Sequence, residues 1–307
     1  MKKSLFLMAF IALIMTSFVS AGGSKETDVN PDVLEVQLIP SRDATYLDAQ
    51  RLPLQELLAK EMGMEVNVTV ATDYNALIEA MASEQVHVGL LATTAYVLAA
   101  DEGAAEAILK SLRYDVDDNG ELMKDKPMVS GYKSQLIADK DSGIKSVIDL
   151  KGRKVAISSF TSTSGFVWPA NLLADNGIDP ESEIEWINTG GHDNAVLAVF
   201  NGEADAAFTF KDARNLFEKE SYYADLMDKV VLIANTSLIP NDTISVIPRL
   251  NEDLKQKVKD AFIAISKSEE GLEIVRGIYN HEGYEAAQDS DYDEVRVYLE
   301  RKNEWDF

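Results

Sequence analysis

"KVAISSFTSTSGFVWPANLLADNG", residues 154–177, changes its periodicity half-way along. Lys154 to Ser159 is a short apolar run of the kind that forms a buried strand. From Gly165 the apolar residues recur at helical spacing as far as Gly177, a residue suited to cap a helix C-terminus. Pro169 then has to fall in the first turn of that helix or kink it. A strand feeding a helix is half of a βαβ unit, and the same rhythm runs through most of the chain. "LEVQLIP" (34–40), "EVNVTVA" (65–71) and "VHVGLLA" (86–92) read as strands, separated by the helical patterns "DATYLDAQRLPLQELLAKEMG" and "DYNALIEAMASEQ" and followed by "TAYVLAADEGAA". "SQLIADK" (134–140), "EIEWINT" (183–189), "DAAFTF" (205–210), "VVLIANT" (230–236) and "ISVIP" (244–248) continue the series, and "NEDLKQKVKDAFIAISKS" reads as an amphipathic helix capped by Asn251.

Such alternation predicts an α/β fold with mostly parallel sheets. A chain of 307 residues is more than one small core absorbs, so two lobes are expected, with a ligand cleft between them at the carboxyl ends of the strands. Turn residues place the crossings near Gly131–Ser134 and Pro240–Ser245. The expected division is 33–131 with 245–307 as lobe 1 and 132–244 as lobe 2. Residues 1–21 read as a secretory signal peptide, with Lys2 and Lys3 before an apolar run that ends in small residues, and 22–32 as a flexible tether. Ala21 stands where a bacterial lipoprotein carries its lipidated Cys, so cleavage there releases the protein unanchored. An exported protein, periplasmic or at the cell surface, is expected.

The chain has no cysteine, so it carries no disulfide and no thiolate metal site. Setting aside the two lysines of the leader leaves 27 of the 29 Lys and Arg against 52 Asp and Glu. That balance argues against nucleic acid and anionic membranes, and it leaves any anionic ligand to be held by local dipoles. Ser162, Thr163 and Ser164 lie where the strand turns into the helix. Free backbone N–H groups and the helix dipole make an anion site there, and three hydroxyls add donors able to wrap a tetrahedral oxyanion. Ordinary N-capping, for which a single Ser or Thr suffices, is the other reading of the same residues.

The short Ser-Thr-Ser-Gly element and six further segments in order, spanning roughly residues 33–300, resemble the phosphate/phosphite/phosphonate-binding proteins of ABC transporters. The resemblance implies a two-lobe type II periplasmic-binding-protein fold whose Ser-Thr-Ser-Gly element grips the phosphorus oxyanion, here "STSG" at Ser162–Gly165. By the same resemblance "VATDYNALIEAM" contributes a ligand tyrosine, Tyr74, and "SGYKSQLIADK" a second, Tyr132. "GGHDNAVLAVF" contributes His192, "TFKDARNLF" contributes Asp212 facing an organic amine, and "SLIPNDTISV" contributes Asp242. "LLATTAYVLAADEGAAEAI" resembles the next cleft loop and adds Thr93, Thr94 and Tyr96, although the family often has Gly-Pro where Ala92-Thr93 stand. Implied with these are a small anionic phosphorus-containing ligand, an ABC permease as partner, a monomer and no cofactor.

Carboxylates beside an anion make chemical sense if they accept from a ligand P–OH or pair with a ligand ammonium. Ser162 or Ser164 with His192 and Asp212 also supply the residue types of a serine hydrolase, but the Gly-x-Ser-x-Gly elbow is missing. A third reading is a sensor whose closed form docks on a membrane kinase. His87, inside a strand, and His281, in the polar turn "NHEG", are not expected in the site or at a metal. "DVDDNGELMKDK" (115–126) has Lys126 where a calcium loop needs Glu, and reads as a hairpin turn.

Overall fold

The structure is a computed structural model that describes residues 28–117, 121–211, 213–217 and 220–306. In chain order the first elements are β1 (Val33–Leu38), α1 (Ala44–Met62), β2 (Glu65–Val70), α2 (Tyr74–Ala82), β3 (Val88–Leu91), α3 (Thr93–Asp101) and β4 (Glu106–Leu112). The middle of the chain forms β5 (Gly131–Asp139), β6 (Lys154–Ile157), α4 (Trp168–Asp175), β7 (Glu185–Asn188), α5 (His192–Phe200), β8 (Ala206–Phe210), α6 (Leu226–Lys229) and β9 (Val230–Pro240). The last part holds β10 (Thr243–Val246), α7 (Glu252–Lys267), α8 (Glu269–Tyr279), β11 (Gly283–Ala286) and α9 (Asp293–Lys302).

Two sheets result. One has six strands in the order β11-β4-β10-β3-β1-β2, the other five in the order β7-β6-β8-β5-β9. Within the first, β1 runs parallel to β2 and β3, while β10 is antiparallel to both β3 and β4. Within the second, β6 runs parallel to β7 and β8, and β5 is antiparallel to β8 and β9. The chain passes between sheets from β4 to β5 and from β9 to β10. This is the two-lobe α/β architecture that the strand rhythm predicts, but the sheets are mixed rather than mostly parallel. Five of the nine strand pairings among the described residues are antiparallel, because β5 and β10, which enter the sheets from the crossings, and the edge strand β11 run against their neighbours.

Local chemistry sets the element ends. Asp43 caps α1 by accepting from the Tyr46 amide, and Gly63 ends it in the left-handed region at φ 65°. Pro169 does fall in the first turn of α4, after a wider turn over Thr163–Val167 that Ser162 caps. Two strands depart from the sequence reading. In β4, Lys110 and the fully buried Ser111 interrupt the apolar alternation, and β11 is only four residues long. Residues 1–27, with the leader and most of the tether, lie outside the described residues. The end of the tether is docked rather than free, because the Val29 amide donates to the Arg249 carbonyl and the Val29 carbonyl accepts from Asn251. Helix α9 touches both lobes. Arg296 pairs with Asp101 at the end of α3, and Arg301 with Asp175 of α4, while the Tyr298 ring lies 4.2 Å from that of Trp168.

Candidate functional site

Every parallel strand of either sheet delivers its carboxyl end to the same cleft. Ile39, Ser41 and Arg42 follow β1, Tyr74 follows β2, Leu91 and Ala92 close β3, and Arg113 follows β4. From the facing sheet, Ser162 and Ser164 follow β6, His192 follows β7, and Phe210 ends β8. The antiparallel strands present their opposite ends there, so Tyr132 at the start of β5 and Asp242 just before β10 join the ring. The space they enclose is compact, about 30 Å³ open to the centres of water-sized groups, so it admits only a small ligand unless the lobes part.

The hydroxyl-rich turn forms the floor on one side. Ser162 Oγ accepts from the Gly165 amide at 3.1 Å, so it caps its helix and still has an O–H to offer the cavity. The two readings of this serine from sequence are therefore compatible. Gly165 keeps the hydroxyls in place, since a Cβ there would lie 2.7 Å from Ser158 Oγ and 2.9 Å from Ser162 Oγ. Ser134 Oγ donates to the Ser164 carbonyl at 2.6 Å and fixes the turn. Tyr74 lies by Ser162 and Ser158, and Tyr132 by Ser164, and burial pushes both phenols well above their ordinary range. They are neutral donors at any physiological pH.

Opposite this polar wall, Arg113 pairs with the Asp242 carboxylate and stacks over the Tyr132 ring, 4.7 Å from its centroid. His281 Nε2 lies 3.4 Å from the same carboxylate, and its Nδ1 lies 3.0 Å from Tyr284 Oη. Burial works against charge on Asp242, but Arg113 and His281 outweigh it and hold the carboxyl below its usual range. His192 Nε2 sits 3.1 Å from Ser158 Oγ and 3.3 Å from Ser162 Oγ. Burial, ahead of the charges of Asp242 and Arg113, lowers this imidazole to about 3, and burial lowers His281 as well. Both rings are neutral in the folded protein.

Acid lability follows. Below about 6.5 the unfolded chain protonates His192 while the fold does not, so stability is lost as pH falls from about 6.5 towards about 3. That group contributes a slope of about 1.4 kcal/mol per pH unit, and His281 acts in the same direction. Denaturant melts between pH 7 and 4 should show the slope reduced by about one proton's worth in His192→Gln. An identical slope in that variant would mean that His192 is solvated and titrates normally.

The sequence profile of the family described as "ABC transporter, phosphonate, periplasmic substrate-binding protein" matches residues 36–292. The chain belongs to this family. Among its relatives are the phosphate-import protein PhnD of Mycolicibacterium smegmatis, 30% identical over 212 residues, and the phosphonates-binding periplasmic protein of Escherichia coli, 25% identical over 269 residues. The first alignment covers 66% of this chain and 63% of the relative, slightly under two thirds of that protein's length; the second covers 86% and 74%. The binding-protein component of a phosphonate ABC transporter from Pseudomonas aeruginosa shares the fold, with a TM-score of 0.76 at 22% identity over 89% of this chain and 87% of that one. Members of the family are periplasmic substrate-binding components of ABC transporters.

Of the residues singled out from sequence, the cleft gathers Tyr74, Tyr132, Ser162, Ser164, His192 and Asp242. Asp212 lies outside the described residues. Four others are placed elsewhere. Thr93 donates its hydroxyl to the Pro240 carbonyl, and Thr163 Oγ1 accepts from the Thr94 amide at 2.8 Å, and none of these three threonines lines the cavity. Tyr96 turns away, its ring against Tyr292 and its hydroxyl on Asp289. His281, read as a turn residue, is instead 1% exposed and belongs to the cleft wall. The largest omission is charge: Arg42 and Arg113 line the cleft, so dipoles do not act alone. Position could have found Arg42, since it follows β1, a strand legible in the sequence whose carboxyl end points at the ligand crevice.

Proposed function

We propose that this chain captures a phosphonate or a related phosphorus oxyanion, phosphite or phosphate, and delivers it to an ABC permease by closing its two lobes around it. The observation that carries this reading is the convergence of neutral donors from both sheets, Tyr74, Tyr132, Ser162, Ser164 and His192, on a cavity that also holds the Arg113–Asp242 pair. The serines, tyrosines and histidine donate to phosphoryl oxygens, and Asp242 accepts from a ligand P–OH. Sulfate, which carries no proton at neutral pH, would face that carboxylate unfavourably. Residues 33–131 with 245–307 form one lobe and 132–244 the other, and Asp212 meets an amino group on the ligand where there is one.

Binding without turnover is favoured by the state of His192. A ring lowered to about 3 has little capacity to take a proton from Ser162 at neutral pH, and its Nδ1 has no hydrogen-bond partner among the described residues. Calorimetric titration of the mature domain with phosphite, methylphosphonate, 2-aminoethylphosphonate, phosphate and sulfate tests the reading. Tight binding of a phosphorus acid and rejection of sulfate is the expected result. Failure of all the phosphorus acids to bind would overturn it. A preference for the amino compound that disappears in Asp212→Asn would assign that acid.

Among the described residues, three of the hydrogen bonds between the lobes flank the cleft. The Thr94 amide donates to Thr163 Oγ1, the His192 amide to the Ser41 carbonyl at 3.1 Å, and the Asp43 amide to Asp193 Oδ2 at 2.7 Å. Asp193 thus places its carboxylate at the N-terminus of α1, where the helix dipole favours it. Its contact belongs to the closed state alone, so Asp193→Ala should speed ligand dissociation by about tenfold and leave association nearly unchanged. Stopped-flow release rates check this, and an unchanged off-rate would remove Asp193 from the closure mechanism.

A further inference from the structure

The cleft holds two arginines in different electrostatic situations. Arg113 has Asp242. Arg42, 9% exposed and lining the same cavity, forms no ion pair among the described residues. Its guanidinium stacks over the Tyr46 ring at 3.8 Å and donates through one nitrogen to the Gly277 carbonyl, while its Nε is buried with no hydrogen-bond partner among the described residues. The carboxylates nearest in sequence and across the cleft serve backbone amides: Asp43 Oδ1 accepts from Tyr46, and Asp193 accepts from Asp43 and Asn194. A buried cation with no counter-ion is strongly unfavourable, and Arg42 sits in the seam between the lobes: Ser41 and Asp43, on either side of it, are hydrogen-bonded to His192 and Asp193 of the opposite lobe. Gly191 of the opposite lobe comes close to the Arg42 backbone: a Cβ built on that glycine would lie 3.5 Å from the Arg42 carbonyl carbon.

We propose that Arg42 is the counter-charge for the bound ligand. This rests on the oxyanion reading and adds to it what the neutral donors cannot supply, a full positive charge that Asp242 does not cancel. A ligand with net negative charge makes closure over Arg42 favourable. An empty cavity, or a neutral solute, leaves the guanidinium buried and unpaired, so the same residue selects for anions and couples their capture to closure. In an acidic protein this confines the attraction to the closing cleft.

The test compares wild type with Arg42→Met and Arg42→Lys, using phosphite and methylphosphonate as ligands and the melting temperature of the ligand-free protein as a control. Arg42→Met should weaken both ligands by about tenfold or more, Arg42→Lys should recover most of that loss, and the ligand-free Met variant should melt at or above the wild-type temperature. A purely structural arginine, needed for its contacts with Tyr46 and Gly277, would behave differently: the Met variant would melt lower and Lys would not rescue binding. That pattern, or an affinity in Arg42→Met within twofold of wild type, overturns the proposal. Absence of binding to wild type itself would sink the oxyanion reading, and this assignment with it.

Discussion

Alanine at both Ser162 and Ser164 should lower the affinity for a phosphorus oxyanion by about 10²- to 10⁴-fold, since each hydroxyl lost from a charged acceptor removes about 1.5–3 kcal/mol. Both side chains line the cleft. The two serines differ in what else they do. Ser162 also caps its helix through Gly165, so its replacement takes a further ~1 kcal/mol from stability. Ser164 has no capping role, and its single replacement should weaken binding while leaving the ligand-free melt near that of wild type. Calorimetry on the two single variants and the double variant separates these effects. Affinities within threefold of wild type for the double variant would place the oxyanion elsewhere in the cleft.

That site was legible in part because one local signal, a strand running into a hydroxyl-rich helix start, carries both its fold and its chemistry. The same holds for His192, which opens α5 directly after β7. Thr163 shows where such reading ends. Its neighbours face the cavity, yet its own hydroxyl points at the Thr94 amide of the other lobe, a contact between residues 69 apart in sequence that no local pattern encodes. Arg113 and His281 were invisible for a related reason. Each is an ordinary polar residue in its own segment, one after a strand hidden by buried Ser111 and the other after α8, and they acquire a role only when Asp242 arrives between them from the return crossing. The strands missed, β4 and β11, are the ones that frame those two residues, so the error in the fold and the error in the site have one cause.

The strongest stability effect is expected at that junction. Asp242→Ala leaves the Arg113 guanidinium, whose side chain is 5% exposed, with no carboxylate, and the loss of one partner of a buried pair costs about 3–5 kcal/mol. Arg113→Met has the mirror-image consequence, leaving Asp242 charged beside a neutral His281. The double replacement Arg113→Met with Asp242→Leu should recover most of the stability lost in either single variant, because apolar groups of similar volume need no counter-ion. It should not recover binding. Without Asp242 there is no acceptor for a P–OH, and without Arg113 the Tyr132 ring loses the cation stacked over it. Denaturant melts and calorimetry on the three variants therefore give a clear dissociation: stability returns in the double variant and affinity stays low. If affinity returned together with stability, the pair would be scaffolding, and discrimination between phosphorus acids and sulfate would have to arise from the shape of the serine and tyrosine wall alone.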